Sequence, residues 1–231
     1  MPDDQWADRV AARWNAYMEE RPAARLCLPT GHTPRPLYER SARLINFARA
    51  TVFMLDEFGL AEGDPARCDG MIERDFLTHL SEQPANLHLL NIEAPDRDGE
   101  CRRFENLIDD GGFDLTLLGL GGNGHLGLNE PGSNAQTETR VVQIASATKA
   151  AATNRYGSET EPEWGMTVGL RPILDSQEIW LLVTGSSKAA ILERMLNGPI
   201  GPDLPASFLR DHPNTVVLAG TSAAEQIAPP V

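Results

Sequence analysis

Three polar side chains in one glycine-rich segment have the types and the spacing that ligand binding and proton transfer require. Asn123, His125 and Glu130 lie within LLGLGGNGHLGLNEPG, residues 117–132, which contains six glycines. The segment follows a mainly apolar run, residues 113–118, whose pattern predicts a buried strand. Open α/β sheets bind ligands in the crevice beyond the carboxyl ends of their strands. The segment is therefore predicted to form part of a functional site.

The same segment could be an ordinary connecting loop. Glycines serve tight turns and close backbone approaches in many loops, and His125 would then simply be solvated. This alternative explains the glycines, but it gives no reason for the spacing of Asn123, His125 and Glu130. We therefore favour the functional interpretation.

Two carboxylates follow a second apolar run. Asp56 and Glu57 come directly after residues 50–55, ATVFML, which are predicted to form a buried strand. Carboxylates at the carboxyl end of such a strand lie at the ligand-binding edge of the sheet, and they are seldom buried without a partner. A solvated exit from the strand explains the pair equally well when the pair is considered alone.

Two strand–turn–helix units have the pattern of anion sites. PTGHTP, residues 29–34, separates a predicted strand (24–28) from a predicted helix (35–47), and TGSSK, residues 184–188, follows the predicted strand 177–183. Free backbone N–H groups and the helix dipole favour anions at such turns. The first turn, considered alone, is better explained as a simple connection with Thr33 as the helix cap, because it contains a single glycine. The second turn, with its lysine, favours a phosphate site.

The order of elements predicts the fold class. Further helices are predicted at residues 5–20, 67–80, 98–109 and 189–197, and further strands at residues 88–92, 139–144 and 215–219. Alternating strands and helices indicate an α/β protein with a doubly wound, mainly parallel sheet and helices on both faces. We expect a single domain over residues 1–231, with a mobile lid at about residues 145–165. Neither turn matches GxGxxG or a Walker A sequence, so no dinucleotide or nucleoside-triphosphate site is expected.

Composition narrows the class of partner. The 231 residues carry a formal net charge of −13, and no concentrated basic footprint for a nucleic acid is visible. The three cysteines are widely spaced, which favours reduced thiols and a cytoplasmic protein. The acidic start of the chain lacks the apolar stretch of a signal peptide, and no apolar run has the length of a membrane span.

These segments, in this order, resemble the glucosamine-6-phosphate deaminase (isomerase) family. The resemblance spans roughly residues 24–219 and rests on PTGHTP, LDEFGL, LGLGGNGHLGLNEPGS, MTVGL and LLVTGSSKA. The segment NGHLGLNEPG is the most specific of them. The related 6-phosphogluconolactonases share the fold and the Gly-His pair but lack the downstream NEPG. The resemblance implies a Rossmann-like fold of the ribose-5-phosphate isomerase type and an aldose–ketose isomerisation with loss of ammonia.

The resemblance also implies catalytic roles. His125 would open the sugar ring as a proton shuttle, because imidazole titrates near neutral pH. Glu130 and Asn123 would fix its tautomer and orientation. Asp56 would move a proton between C2 and C1 of the open sugar, with its pKa raised by partial burial. The reaction needs no metal or cofactor.

Substrate-binding roles follow in the same way. The phosphate would be held by the turn that contains Thr30, Gly31, His32 and Thr33, by Lys188 and by the lid arginine. Arg155 matches that arginine after a one-residue insertion. Glu57, beside Asp56, is expected among the substrate-binding residues.

The chain departs from the family pattern at three positions that bear on function. Asn123 stands where many members have aspartate, and an amide orients His125 without adding charge. His32 replaces a glycine of the phosphate turn. Val142 replaces a basic residue of the allosterically regulated members, so activation by an N-acetylaminosugar phosphate is not expected.

Two other functions remain open from the residues. A lactonase would use His125 to activate water and would not need Asp56 for chemistry. A sugar-phosphate sensor would bind without turnover, although the joint presence of Asp56, His125 and Glu130 argues against it. The epimer at C4 is not predicted. LGLNEPG and LPASFL are closer to the galactosamine-6-phosphate branch of the family. Family members range from monomers to hexamers, so a homo-oligomer is compatible with the resemblance. No nucleic-acid or membrane partner is expected.

Overall fold

The computed structural model describes residues 1–227. Its helices are α1 (Trp6–Glu20), α2 (Arg35–Leu44), α3 (Cys68–Asp75), α4 (Arg97–Asp109), α5 (Ser146–Tyr156), α6 (Leu170–Leu174) and α7 (Ala189–Asn197). Its strands are β1 (Arg25–Leu28), β2 (Thr51–Met54), β3 (Asp56–Phe58), β4 (Asn86–His88), β5 (Leu115–Gly119), β6 (Arg140–Gln143), β7 (Trp164–Thr167), β8 (Glu178–Val183) and β9 (Thr215–Ala219). Within residues 1–227 no helix is both long enough and apolar enough to span a membrane.

A six-stranded parallel sheet forms the centre of the molecule. Its strand order is β4-β2-β1-β5-β8-β9, and all its neighbouring strands pair in parallel. The chain builds outward from β1 in one direction and then from β5 in the other. The boundary between β1 and β5 is therefore the topological switch point, where sheets of this kind bind ligands. The predicted doubly wound fold is confirmed.

Both faces of this sheet are buried. In β8 the side chains of Trp180 and Leu182 pack in the apolar core that includes α1 and α2. Those of Ile179, Leu181 and Val183 pack in a second core with α4, α6 and α7. Side chains alternate across a strand, so a strand covered by helices on both sides is apolar at nearly every position.

A second, smaller sheet was not predicted. It is antiparallel, with strand order β3-β7-β6, and Asp56 begins its first strand opposite Thr167. The chain thus leaves the main sheet after β2 and enters the small sheet without a connecting loop. Its strand β6 matches the strand predicted at residues 139–144, whereas β3 and β7 do not stand out as separate apolar runs in the sequence.

Several element boundaries also differ from the prediction. The strand predicted at residues 88–92 lies at Asn86–His88, and α2 ends at Leu44 instead of residue 47. The first of these is an edge strand with exposed residues, so its sequence lacks the apolar run of a central strand. The expected lid region contains α5 and the start of β7. The end of the predicted domain, residues 228–231, lies outside the described residues.

Candidate active site

A cavity of about 410 Å³ opens at the switch point. It lies beyond the carboxyl ends of β1, β2, β5 and β8, and α5 covers part of it. Its volume is in the range of small-molecule sites. The residues predicted from sequence that line it are Thr30, His32, Thr33, Asp56, Asn123, His125, Arg155 and Lys188. Four separate strand ends therefore supply one site.

The three polar residues of the loop after β5 form one hydrogen-bonded set. The Nδ1 atom of His125 lies 3.3 Å from Oε2 of Glu130. The amide Nδ2 of Asn123 donates to the same oxygen at 2.7 Å, and Oδ1 of Asn123 accepts the backbone N–H of His125 at 3.2 Å. A neutral imidazole held at Nδ1 by a carboxylate presents Nε2 as its free nitrogen. This arrangement supports the orienting roles predicted for Glu130 and Asn123.

The glycines of this loop make room for the set. A Cβ atom at Gly121 would lie 2.3 Å from Cδ2 of the His125 ring, so the ring can pack against the backbone only where no side chain is present. Gly124 has a φ of +87°, in the region that favours glycine. The spacing of glycines in the sequence thus reflects the path that the backbone takes around His125.

Glu130 is an anion in this setting. Burial opposes its charge, but the hydrogen bond and the charge of His125 lower the pKa of Glu130, as do hydrogen bonds from Thr148 and Asn123. The net result is a pKa of about 2. A permanent carboxylate beside Nδ1 stabilises the imidazolium that forms when Nε2 accepts a proton.

Asp56 has the opposite electrostatic setting. Burial raises its pKa to about 6, an effect that the charge of His125 and a contact with the Cys68 thiol partly offset. The Sγ atom of Cys68 lies 3.9 Å from Oδ1 of Asp56. A carboxylate with a raised pKa is a stronger base than an ordinary aspartate, and it is still ionised at neutral pH. Asp56 and His125 line the same cavity.

Glu57 is not positioned to bind substrate, contrary to the sequence-based prediction. Its side chain is 3% exposed, and its carboxylate accepts the backbone N–H groups of Phe58, Cys68 and Asp69 at 2.7–2.8 Å. The physical reason is strand alternation: Asp56 and Glu57 are neighbours in β3, so their side chains point to opposite faces. Glu57 ties β3 to the start of α3 and thereby helps to place Asp56.

Two cationic side chains also line the cavity. Lys188 follows the turn after β8, and Arg155 lies in the last turn of α5. Burial lowers the pKa of Lys188, and the nearby charge of Arg155 lowers it further. Two cations in one cavity repel each other, and a bound anion would reduce this repulsion. Thr30 and Thr33 line the same cavity.

The turn after β1 also meets α5. Nε2 of His32 lies 3.0 Å from the backbone carbonyl oxygen of Arg155. A Cβ atom at Gly31 would lie 2.6 Å from the Tyr156 hydroxyl oxygen, and Gly31 has a φ of +105°. Gly31 thus permits a close approach of Tyr156 and does not itself line the cavity.

Thr148 completes the polar set, and the sequence-based prediction missed it. Its hydroxyl donates to Oε1 of Glu130 and lies 3.4 Å from Nδ1 of His125. A threonine in an Ala- and Thr-rich segment carries no distinctive signal. Its spacing of seven residues from Arg155 was available in the sequence, and it places both side chains on one face of a helix.

The protein is a doubly wound α/β protein whose switch-point cavity is lined by Asp56, His125, Arg155 and Lys188. The family model described as glucosamine-6-phosphate isomerases/6-phosphogluconolactonase matches residues 3–218. The chain belongs to this family.

Named relatives cover nearly the whole chain. Glucosamine-6-phosphate deaminase 1 of Bacillus subtilis is 37% identical over 225 residues, which are 94% of this chain and 93% of the relative. Glucosamine-6-phosphate deaminase of Rhodopirellula baltica is 37% identical over 233 residues, 97% of this chain and 93% of the relative.

Solved structures agree on the fold. A monomeric glucosamine-6-phosphate deaminase superposes with a TM-score of 0.92 at 35% identity and covers 98% of this chain and 97% of its own. The 6-phosphogluconolactonase of Thermotoga maritima superposes with a TM-score of 0.79 at 22% identity, with 96% and 97% covered. The second similarity concerns the fold alone.

Proposed function

We propose that this protein is an enzyme that converts a hexosamine 6-phosphate and water into a ketohexose 6-phosphate and ammonia. The observation that carries this proposal is the pairing of two acid–base groups across one cavity: His125 anchored by Glu130, and Asp56 with its pKa raised to about 6. Two proton-transfer sites are what ring opening and isomerisation require. The deaminase names of the relatives support the same reaction.

Substrate binding begins at the two cationic side chains. Lys188 and Arg155 would pair with the phosphate, and the hydroxyls of Thr30 and Thr33 would donate to its oxygens. Charge-assisted hydrogen bonds of this kind are strong and orient the bound group. The sugar carbons would then lie between Asp56 and His125.

Ring opening is the first chemical step. Nε2 of His125 takes the proton of the C1 hydroxyl and delivers a proton to the ring oxygen as the C1–O5 bond breaks. Glu130 holds the imidazole and stabilises its protonated form. The product of this step is the open-chain amino aldose.

Isomerisation and deamination follow. The Asp56 carboxylate removes the C2 proton, and the electron pair forms a C1=C2 enolamine while the C1 oxygen is protonated. Proton return to C1 gives a C2 iminium, water adds to C2, and the carbinolamine expels ammonia to leave the C2 ketone. Asp56 lies at the start of β3 and lines the same cavity as Lys188.

Replacing Lys188 by methionine is expected to raise KM about 10- to 100-fold, because one hydrogen bond between charged groups is lost. The value of kcat should change less, because the proton-transfer groups are untouched. The matched control is Lys149→Met, which removes the other lysine of the chain; its Nζ pairs with Glu163 and does not line the cavity. Steady-state kinetics of both variants check the assignment, and an unchanged KM in Lys188→Met would contradict it.

A coupled ammonia assay tests the function itself. We expect release from glucosamine 6-phosphate, the substrate named for the relatives, and the assay should include galactosamine and mannosamine 6-phosphates because the C4 and C2 epimers are otherwise undecided. A 6-phosphogluconolactone hydrolysis assay runs beside it. No ammonia from any hexosamine phosphate, together with rapid lactone hydrolysis, would replace this proposal with the lactonase alternative.

A further inference from the structure

We propose that Thr148 is a positioning residue that holds the Glu130 carboxylate against His125, so that α5 completes the acid–base set from outside the loop that carries it. The inference rests on the proposed function for its catalytic consequence. Its structural content, an effect of Thr148 on His125, stands independently.

The geometry assigns each carboxylate oxygen of Glu130 its own donors. Oε2 is taken by Asn123 at 2.7 Å and by His125 at 3.3 Å. Oε1 accepts the Thr148 hydroxyl, which is itself 6% exposed. A carboxylate fixed through both oxygens cannot rotate about its last bond. Without Thr148, the carboxylate would be fixed through Oε2 alone.

Thr148 comes from an element that is held at both ends of the cavity. Thr148 and Arg155 are seven residues apart in α5, so they lie on one face of the helix, with Ala151 between them. At the far end, the backbone carbonyl of Arg155 is hydrogen-bonded to His32 of the phosphate turn. One helix therefore joins the phosphate end of the cavity to the acid–base end.

Apolar packing of α5 is concentrated at its carboxyl end, where Tyr156 packs against the core. Its fully buried residues, Thr148 and Ala152, are small. Hydrophobic stabilisation scales with the apolar area removed from water. Polar contacts at Thr148 and at the carbonyl of Arg155 consequently have a large share in fixing the helix over the cavity.

The kinetic test compares three variants. Valine has the same shape as threonine but lacks the hydroxyl. Thr148→Val is therefore expected to lower kcat about tenfold, because one hydrogen bond to a charged group is lost. Thr148→Ser keeps the hydroxyl and should retain most of the activity. Thr153→Val is the matched control, because that hydroxyl bonds to the carbonyl of Ala150 in the same helix. Equal kcat in Thr148→Val and the unmodified protein would overturn the proposal, as would equal losses in the Val and Ser variants.

A second readout needs no turnover. NMR titration of the His125 imidazole, assigned with a His125→Gln variant, should show its pKa lower by about 0.5 pH unit in Thr148→Val, since a displaced carboxylate stabilises the imidazolium less. Thr148→Ser and Thr153→Val should titrate like the unmodified protein. An unchanged pKa in Thr148→Val would overturn the proposal; so would a raised one, which would show that the hydroxyl only competes with His125 for the carboxylate. If the unmodified protein releases no ammonia, the proposed function fails while this titration still decides the role of Thr148.

Discussion

Replacing Asp56 by asparagine is expected to lower kcat about 10⁴-fold, the upper range for loss of a general base. Asparagine has nearly the same shape, but it cannot accept the proton from C2. KM should change little, because the groups proposed to bind the phosphate, Lys188 and Arg155, are unchanged. Steady-state ammonia release from glucosamine 6-phosphate measures both constants.

Folding should not confound this result. Burial raises the pKa of Asp56 to about 6. Above that pH the carboxylate is ionised in the folded protein, and its burial lowers the free energy of unfolding. A neutral asparagine removes this cost, and urea unfolding at pH 7.5 should show a free energy of unfolding no lower than that of the unmodified protein. Asp110→Asn, at an exposed position, is the control. Deamination at more than a tenth of the normal rate in a folded Asp56→Asn would remove Asp56 from the mechanism.

The same carboxylate predicts how activity depends on pH. The general base acts in its ionised form, and the pKa of Asp56 is raised from 3.8 to about 6. Activity should therefore be full above that value and fall as pH decreases through it, by about tenfold per pH unit below the pKa. A profile of kcat/KM from pH 4.5 to 8.5, which reports the pKa values of the free enzyme, provides the check, with circular dichroism to verify folding at each pH. A flat profile down to pH 4.5 would contradict the assignment.

Replacing His125 by glutamine is expected to lower kcat by about 10²- to 10³-fold, within the range for general acid–base groups. The amide fills similar space but cannot shuttle a proton between the C1 hydroxyl and the ring oxygen. The loss should be smaller than for Asp56→Asn, because sugars also open slowly in water without a catalyst, whereas the C2 proton has no such route.

The kinetic comparison for His125 uses a second histidine. His79 is exposed and does not line the cavity, so His79→Gln should retain normal kcat and KM. Normal turnover in His125→Gln would exclude the ring-opening role. A loss in both variants to the same extent would show that the effect does not arise from the position of His125.

The parallel sheet was predictable because β1, β2, β5 and β8 are short apolar runs followed by turn residues. Side chains buried on both faces leave that pattern in the sequence. The carboxyl ends of neighbouring parallel strands meet at one edge of the sheet, which predicts that Asp56, His125 and Lys188 lie together.

The parts that were not predictable depend on contacts between distant segments. β3 and β7 do not form separate apolar runs in the sequence, yet their pairing turns Asp56 toward the cavity and Glu57 away from it. The contact of Thr148 with Glu130 joins residues 18 positions apart on different elements. Local patterns carry no information on such contacts, because packing decides them.

The central claim is that Asp56 moves a proton between C2 and C1 while ammonia is lost from C2. ¹H and ³¹P NMR of glucosamine 6-phosphate turned over in D₂O tests it in one sample. We predict that the unmodified protein forms a ketohexose 6-phosphate and ammonium. The ketose should carry deuterium at C1 in those turnovers in which the proton held by Asp56 exchanges with solvent. Asp56→Asn should form neither product. Unchanged substrate with the unmodified protein, or equal product with Asp56→Asn, would contradict the account.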